Sequence, residues 1–149
     1  MLSFKRTDSA NDSFLKLVKK LDAELKIRDG EEHEFYAKLN TVENIKQVII
    51  AYKENSVIGC GALREYSPGI VEIKRMYVDE DKRGMGIATK ILLQLEMWAR
   101  ECGYEKCILE TGINQPEAIA LYHKNQFSVI PNYGKYESMK NSVCFEKYL

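Results

Sequence analysis

Residues 82–89 read Lys82-Arg83-Gly84-Met85-Gly86-Ile87-Ala88-Thr89, a glycine-bearing turn between a strand pattern and a helix pattern. Upstream, Val71-Glu72-Ile73-Lys74-Arg75-Met76-Tyr77-Val78 alternates as a strand does. Downstream, Ile87, Ile91, Leu92, Leu95, Trp98, Ala99 and Cys102 recur on one helical face, with Gly103 as the stop. The first N–H groups of a helix have no intrahelical acceptor, and the helix dipole puts partial positive charge there. Gly84 and Gly86 remove the Cβ atoms that would hold a phosphate off the backbone. Lys82 and Arg83 add cationic side chains. The turn therefore predicts a site for a phosphorylated ligand. It is neither a P-loop nor a G-x-G-x-x-G fingerprint, since no Gly-Lys-Ser/Thr follows and residue 89 is Thr.

Outward from the turn, Lys106 to Thr111 reads as the next strand. Gln115-Pro116-Glu117 opens a further helix, because proline suits the first helical position and glutamate the positive end of the dipole. Ser128 to Ile130 and Ser142 to Tyr148 read as two last strands around a loop at residues 131–141. Toward the N-terminus, Val57 to Arg64 and Val48 to Tyr52 form a hairpin turning at Lys53-Glu54-Asn55-Ser56, and Ser67-Pro68-Gly69 turns into the strand ending at Val78. Phe14, Leu17, Val18, Leu21 and Leu25 mark a helix capped by Asp12 or Ser13. A short second helix is expected over Glu31 to Leu39 after Gly30, and a first strand over Leu2 to Arg6. The order is β-α-α-β-β-β-α-β-α-β-β.

At 149 residues the chain is long enough to bury a core without staples, and it reads as one domain over 1–149. Lys plus Arg and Asp plus Glu number 22 each, so no net field favours nucleic acid. No apolar run approaches a membrane span and the charged start does not resemble a signal peptide, which predicts a cytoplasmic protein and no membrane partner. Cys60, Cys102, Cys107 and Cys144 form no C-x-x-C pair and His33 and His123 lie far apart in sequence, so no metal is expected and the thiols read as reduced.

Three segments together resemble the GNAT family of N-acetyltransferases. Arg83 to Ala88 matches the family's Q/R-x-x-G-x-G/A signature at its three defined positions. Glu72-Ile73-Lys74-Arg75-Met76-Tyr77-Val78 is similar to its Glu-x-Lys-Arg-x-Tyr-Val run, and Ala118 to Phe127 to its A-x-x-L-Y-x-K-x-G-F segment. The likeness runs from about Gln47 to Leu149. It implies the GNAT fold, an α/β arrangement of about seven strands in a mixed, mostly antiparallel twisted sheet flanked by about four helices. It implies acetyl-coenzyme A as cosubstrate and a primary amine as acceptor, small molecule or protein, with a homodimer also compatible. The coenzyme's pyrophosphate is expected on Arg83, Gly84, Met85, Gly86, Ile87, Ala88 and Thr89, and its pantetheine along Met76, Tyr77 and Val78.

For the chemistry the resemblance implies three side chains. Tyr122 stands where many members protonate the leaving thiolate. Glu72 stands where some carry a general base, and Glu110 is the rival. Each has a plainer reading, Glu72 as a surface carboxylate paired with Lys74 or Arg64 on a half-exposed sheet and Tyr122 as a packed helix residue. Many members contact the coenzyme with an asparagine three residues before the helix alanine. Gln115 holds that place here, and Asn114 aligns only after a one-residue shift. Gln126 replaces the family's glycine and puts the shape of that turn in question. The acceptor pocket is expected from residues 22–40 and 131–141. The acidic run Asp29, Glu31, Glu32 and Glu34 reads as a solvated helix face, and Tyr133, Gly134 and Tyr136 form a wall or an edge cover. Cys144 has no sequence-adjacent partner for an acyl-enzyme route. An acyl-coenzyme A-binding module without turnover is the competing reading; a nucleotide protein that binds ATP is remote.

Overall fold

The computed structural model describes residues 1–32, 34 and 44–149. Seven strands form one sheet in the order β1-β2-β3-β4-β5-β7-β6. They are β1 (Leu2–Thr7), β2 (Gln47–Lys53), β3 (Ser56–Ser67), β4 (Ile70–Val78), β5 (Lys106–Gly112), β6 (Ser128–Ile130) and β7 (Ser142–Tyr148). Only β4 and β5 run parallel; the other neighbours are antiparallel. Three α-helices lie among the described residues, α1 (Asp12–Asp29), α2 (Ile87–Glu101) and α3 (Pro116–Lys124). Most of the expected helix over Glu31 to Leu39 falls outside the described residues; Gly30–Glu32 is a short 3-10 turn. None of the described helices is long and apolar enough to cross a membrane.

Hydrophobic spacing decides which helix covers which face. Ile87, Ile91, Leu92, Leu95 and Ala99 of α2 bury against Ile49, Leu63, Val71, Ile73 and Phe145 on one side of the sheet. Phe14, Leu17, Val18 and Leu21 of α1 bury against Val48, Ile50, Cys60 and Ala62 on the other. Each such side chain removed from water contributes about 1.5–3 kcal/mol before entropy is set against it. The cap of α1 is Asn11, whose extended backbone lets its side chain accept from the Phe14 N–H. This corrects the expected cap at Asp12 or Ser13, which are already helical.

Two features of β4 set its path through the sheet. Arg75 has φ +58° and sits where the β3–β4 register slips between Cys60 and Ala62. This bulge inserts one residue, so Val71, Ile73, Met76 and Val78 all turn toward the α2 side. Gly61 on β3 makes room for it, since a Cβ there would lie 2.7 Å from Met76 Sδ and 2.8 Å from Leu95 Cδ1. Second, β4 pairs with β5 only from Ile70 to Glu72. Beyond that the strands diverge, and among the described residues no strand pairs with the rest of β4 on its β5 side.

Candidate functional site

The divergence opens a cleft of about 470 Å³. The free stretch of β4 forms one wall, residues 82–89 and the start of α2 one end, α3 the facing wall, and Leu21, Glu24 and Leu25 of α1 the cover. At the turn, Gly84 and Gly86 adopt φ +81° and +77°, and no atom lies within 4 Å of a Cβ built on either. Left-handed backbone without a clash is where glycine is required for conformation and for approach, not for packing. Among the described residues no acceptor bonds the amides of Gly84 through Thr89, and the first helical bond is Lys90 N–H to the Gly86 carbonyl. A run of unsatisfied donors at a helix start is an anion cradle. Lys82 and Lys124 line the same cleft.

The expected cradle residues are not all alike. Met85 points outward, about half exposed, and does not line the cleft. The Arg83 guanidinium is engaged elsewhere: its Nε donates to the Val78 carbonyl at 2.8 Å, its Nη1 and Nη2 reach Glu24 on α1 at 2.9 and 3.3 Å, and it stacks over Tyr77. Asn114 lies away from the cleft, donating to the Arg28 carbonyl at 3.2 Å. Gln115 lines the cleft instead. Gln126 takes φ +64°, the left-handed conformation a glycine adopts freely, so the departure from the family's glycine leaves the turn after α3 in a glycine-type shape at about 1 kcal/mol of backbone strain.

At the opposite end the cleft is polar and buried. Glu72 is 8 % exposed, with Lys74 Nζ 3.8 Å from its Oε1 and the Tyr133 hydroxyl donating to its Oε2. It is therefore no half-exposed sheet carboxylate, and although Arg64 sits opposite it in register, Lys74 is the ion-pair partner found. Lys74 also approaches the Tyr136 hydroxyl at 3.5 Å. Burial pulls the Lys74 ammonium below its usual range, against the pull of Glu72. Glu110, on β5, accepts from Ser142 Oγ at 2.6 Å. Burial pushes its carboxyl up to about 7, although the Ser142 hydrogen bond and the Lys74 charge oppose this. A carboxyl that titrates near neutrality in a cleft is suited to proton transfer.

Tyr122 closes the α3 wall. Its ring packs on Phe127 and Phe145, so the packed reading holds for the ring. Tyr122 itself is among the residues that line the cleft. Burial, then the Glu110 charge, raises the pKa of its hydroxyl, which therefore stays protonated. Tyr136 lines the cleft while Tyr133 stands behind it as the support of Glu72. Asp29 and Glu110 feel each other's charge; Glu31 and Glu32 sit in the short turn after α1. Sequence reasoning missed Lys74 as a residue of this cleft and Ser142 as the hydrogen-bond partner of Glu110. Burial pushes Cys144 up to about 11, which leaves it a poor nucleophile.

Comparison with known proteins agrees with this architecture. A model of the acetyltransferase (GNAT) family matches residues 14–127. The chain is 32% identical over 146 residues to an IAA acetyltransferase of Azospirillum brasilense, covering 97% of this chain and 95% of that one. A candidate acyl-CoA N-acyltransferase from Klebsiella pneumoniae superposes with TM-score 0.84 at 27% identity, over 100% of this chain and 98% of that one. A GNAT acetyltransferase from Elizabethkingia anophelis, solved with acetyl-CoA bound, superposes with TM-score 0.73 at 17% identity over 99% and 98% of the two chains.

Proposed function

Since the chain belongs to the acetyltransferase (GNAT) family, we propose that it moves an acetyl group from acetyl-coenzyme A to a primary amine by direct attack in a ternary complex. The observation that carries this reading is the run of unbonded amides from Gly84 to Thr89 at one end of a cleft whose wall is the unpaired part of β4. The cradle fits a pyrophosphate, because both glycines leave open space where side chains would stand. The edge of β4 at Met76, Tyr77 and Val78 offers backbone groups that an amide-bearing arm can pair with as a strand would.

The coenzyme, when bound, supplies an acetyl group activated as a thioester. Lys82 and Lys124 add positive charge toward the phosphates, and Arg83 acts indirectly, tying the turn to α1 and to the end of β4. Glu110 is the better placed base: it lines the cleft and titrates near neutrality, whereas Glu72 is occupied by Tyr133 and Lys74. Glu110 Oε takes the proton from the incoming ammonium and leaves a neutral nucleophile. The neutral nitrogen then attacks the thioester carbonyl, and the C–S bond breaks as the N–C bond is made. The Tyr122 hydroxyl gives its proton to the departing sulfur, and the surplus proton on the nitrogen restores Tyr122. Leu21 and Leu25 over the cleft exclude water.

Calorimetric titration with acetyl-coenzyme A tests the reading, with ATP and pantetheine as controls. Binding of the coenzyme alone in roughly the micromolar range is expected; no binding would overturn it. An acceptor screen by thiol release, with IAA included beside amines, is the next step. Tyr122→Phe should lower turnover by about 100-fold with coenzyme affinity unchanged. A coenzyme that binds in the parent with no acceptor turned over would instead support the binding module.

A further inference from the structure

Glu110 sits on β5 directly across from Cys144 of β7, with Gly112 across from Ser142. The Ser142 hydroxyl, two positions along the pair, donates to Glu110 Oε2 at 2.6 Å. Ser142 is itself held: its N–H donates to the Met139 carbonyl, and Asn132 Nδ2 bridges the carbonyls of Met139 and Ser142 at 2.9 and 3.1 Å. From β4, Lys74 enters the same end of the cleft with its side chain 6% exposed. A buried ammonium is costly unless anions are near it, and here Glu72, itself bound by Tyr133, lies 3.8 Å away while the charge of Glu110 also favours the ammonium. We propose that Ser142 and Lys74 act through Glu110 as positioning residues, keeping its carboxylate charged and aimed into the cleft when an amine must lose a proton. This rests on the assignment of Glu110 as base.

Among the described residues, the groups that act on Glu110 work in one of two directions. Burial, Asp29 at the end of α1 and Glu72 on β4 disfavour its charge, whereas Ser142 on β7 and Lys74 on β4 favour it. Tyr122 on α3 and Cys144 on β7 are neutral neighbours whose own ionisation Glu110 opposes. Without the two favourable groups, the carboxyl would hold its proton through neutral pH and could not act as a base. The serine supplies direction as well as charge stabilisation, because a hydrogen bond to one oxygen leaves the other for the acceptor.

The test needs neither coenzyme nor acceptor, so it fails or succeeds apart from the acyl-transfer reading. In the full chain labelled with carboxyl-¹³C glutamate, the resonance lost in Glu110→Gln is followed against pH. It should titrate near 7 in the parent. Ser142→Ala and Lys74→Met should each move the midpoint upward by about one pH unit, Lys74→Arg should restore it, and Asp29→Asn should move it down. A melting curve shows which variants are folded; Ser142→Ala removes a single oxygen and keeps the test open if Lys74→Met fails to fold. Midpoints unchanged or lowered in Ser142→Ala and Lys74→Met, or a parent midpoint in the ordinary carboxylate range, would overturn the proposal. Once an acceptor is in hand, the acid limb of kcat/KM should track the same shift, an about three-fold loss at about pH 7.5 that recovers at higher pH. A uniform loss at every pH would mark a merely structural role.

Discussion

Two glutamates on neighbouring strands, Glu72 and Glu110, show how little residue type decides. Both line one cleft, yet one is bound by a tyrosine and a lysine and the other by a serine. The elevated Glu110 carboxyl links function to stability. Its folded form holds a proton that the unfolded chain releases at ordinary carboxylate pH, so its stabilising contribution is complete below about 4.5 and is lost as pH rises through about 7. Glu110→Gln should therefore gain stability over the parent above about pH 8, on the order of 1–3 kcal/mol, and gain nothing near about pH 4. Denaturant midpoints measured at both ends of that window check the sign. From sequence the two carboxylates were equal rivals, because the Ser142 contact joins residues 32 positions apart and no local pattern announces it.

At the scale of elements, the turn and helix α2 agree from sequence to structure. The glycine positions, the apolar spacing and the stop at Gly103 are local signals, and local backbone physics answers them. Gly103 indeed takes φ +85°. The role of Gly86 is open to test. Gly86→Ala meets no atom within 4 Å and should fold, at about 1 kcal/mol for the left-handed residue. The added methyl lines the cradle, so coenzyme affinity should fall at least about ten-fold, read by calorimetry beside a melting curve. An unchanged affinity would place the phosphates elsewhere. Met85 and Arg83 were harder to read. In a turn of this length the direction of each side chain depends on what stands opposite, and α1 supplies Glu24 for Arg83 while nothing calls Met85 inward.

Taken as a whole molecule, α1 binds both lips of the cleft. Lys20 pairs with Asp79, Asp22 with Arg75 and Glu24 with Arg83 on the β4 side, and Arg28 pairs with Glu117 of α3 on the other. The Asp22–Arg75 pair is the most consequential, since the Arg75 side chain is 5% exposed and sits in the bulge that redirects β4. Asp22→Ala should cost about 1–3 kcal/mol, discounted because Asp22 is half exposed, and should weaken coenzyme binding by loosening the β4 edge. Denaturation and calorimetry together check it; a stability loss with unchanged binding would separate the pair from the cleft.

The sequence by itself determined the seven strands and three helices described and their order, the turn that ends in unbonded amides and the family to which they belong. Each of these rests on periodicity or on residue types a few positions apart, and such signals survive without knowledge of the fold. Only the tertiary structure decided that Glu72 is buried against Tyr133, that Glu110 is held by Ser142, that Gln115 and not Asn114 faces the cleft, and that Arg83 is tied to Glu24. These depend on sheet order β4-β5-β7 and on where α1 crosses it. Burial and charge at a point in space are sums over neighbours distant in sequence, and the split between β4 and β5 that creates the cleft is a property of two strands together, not of either one.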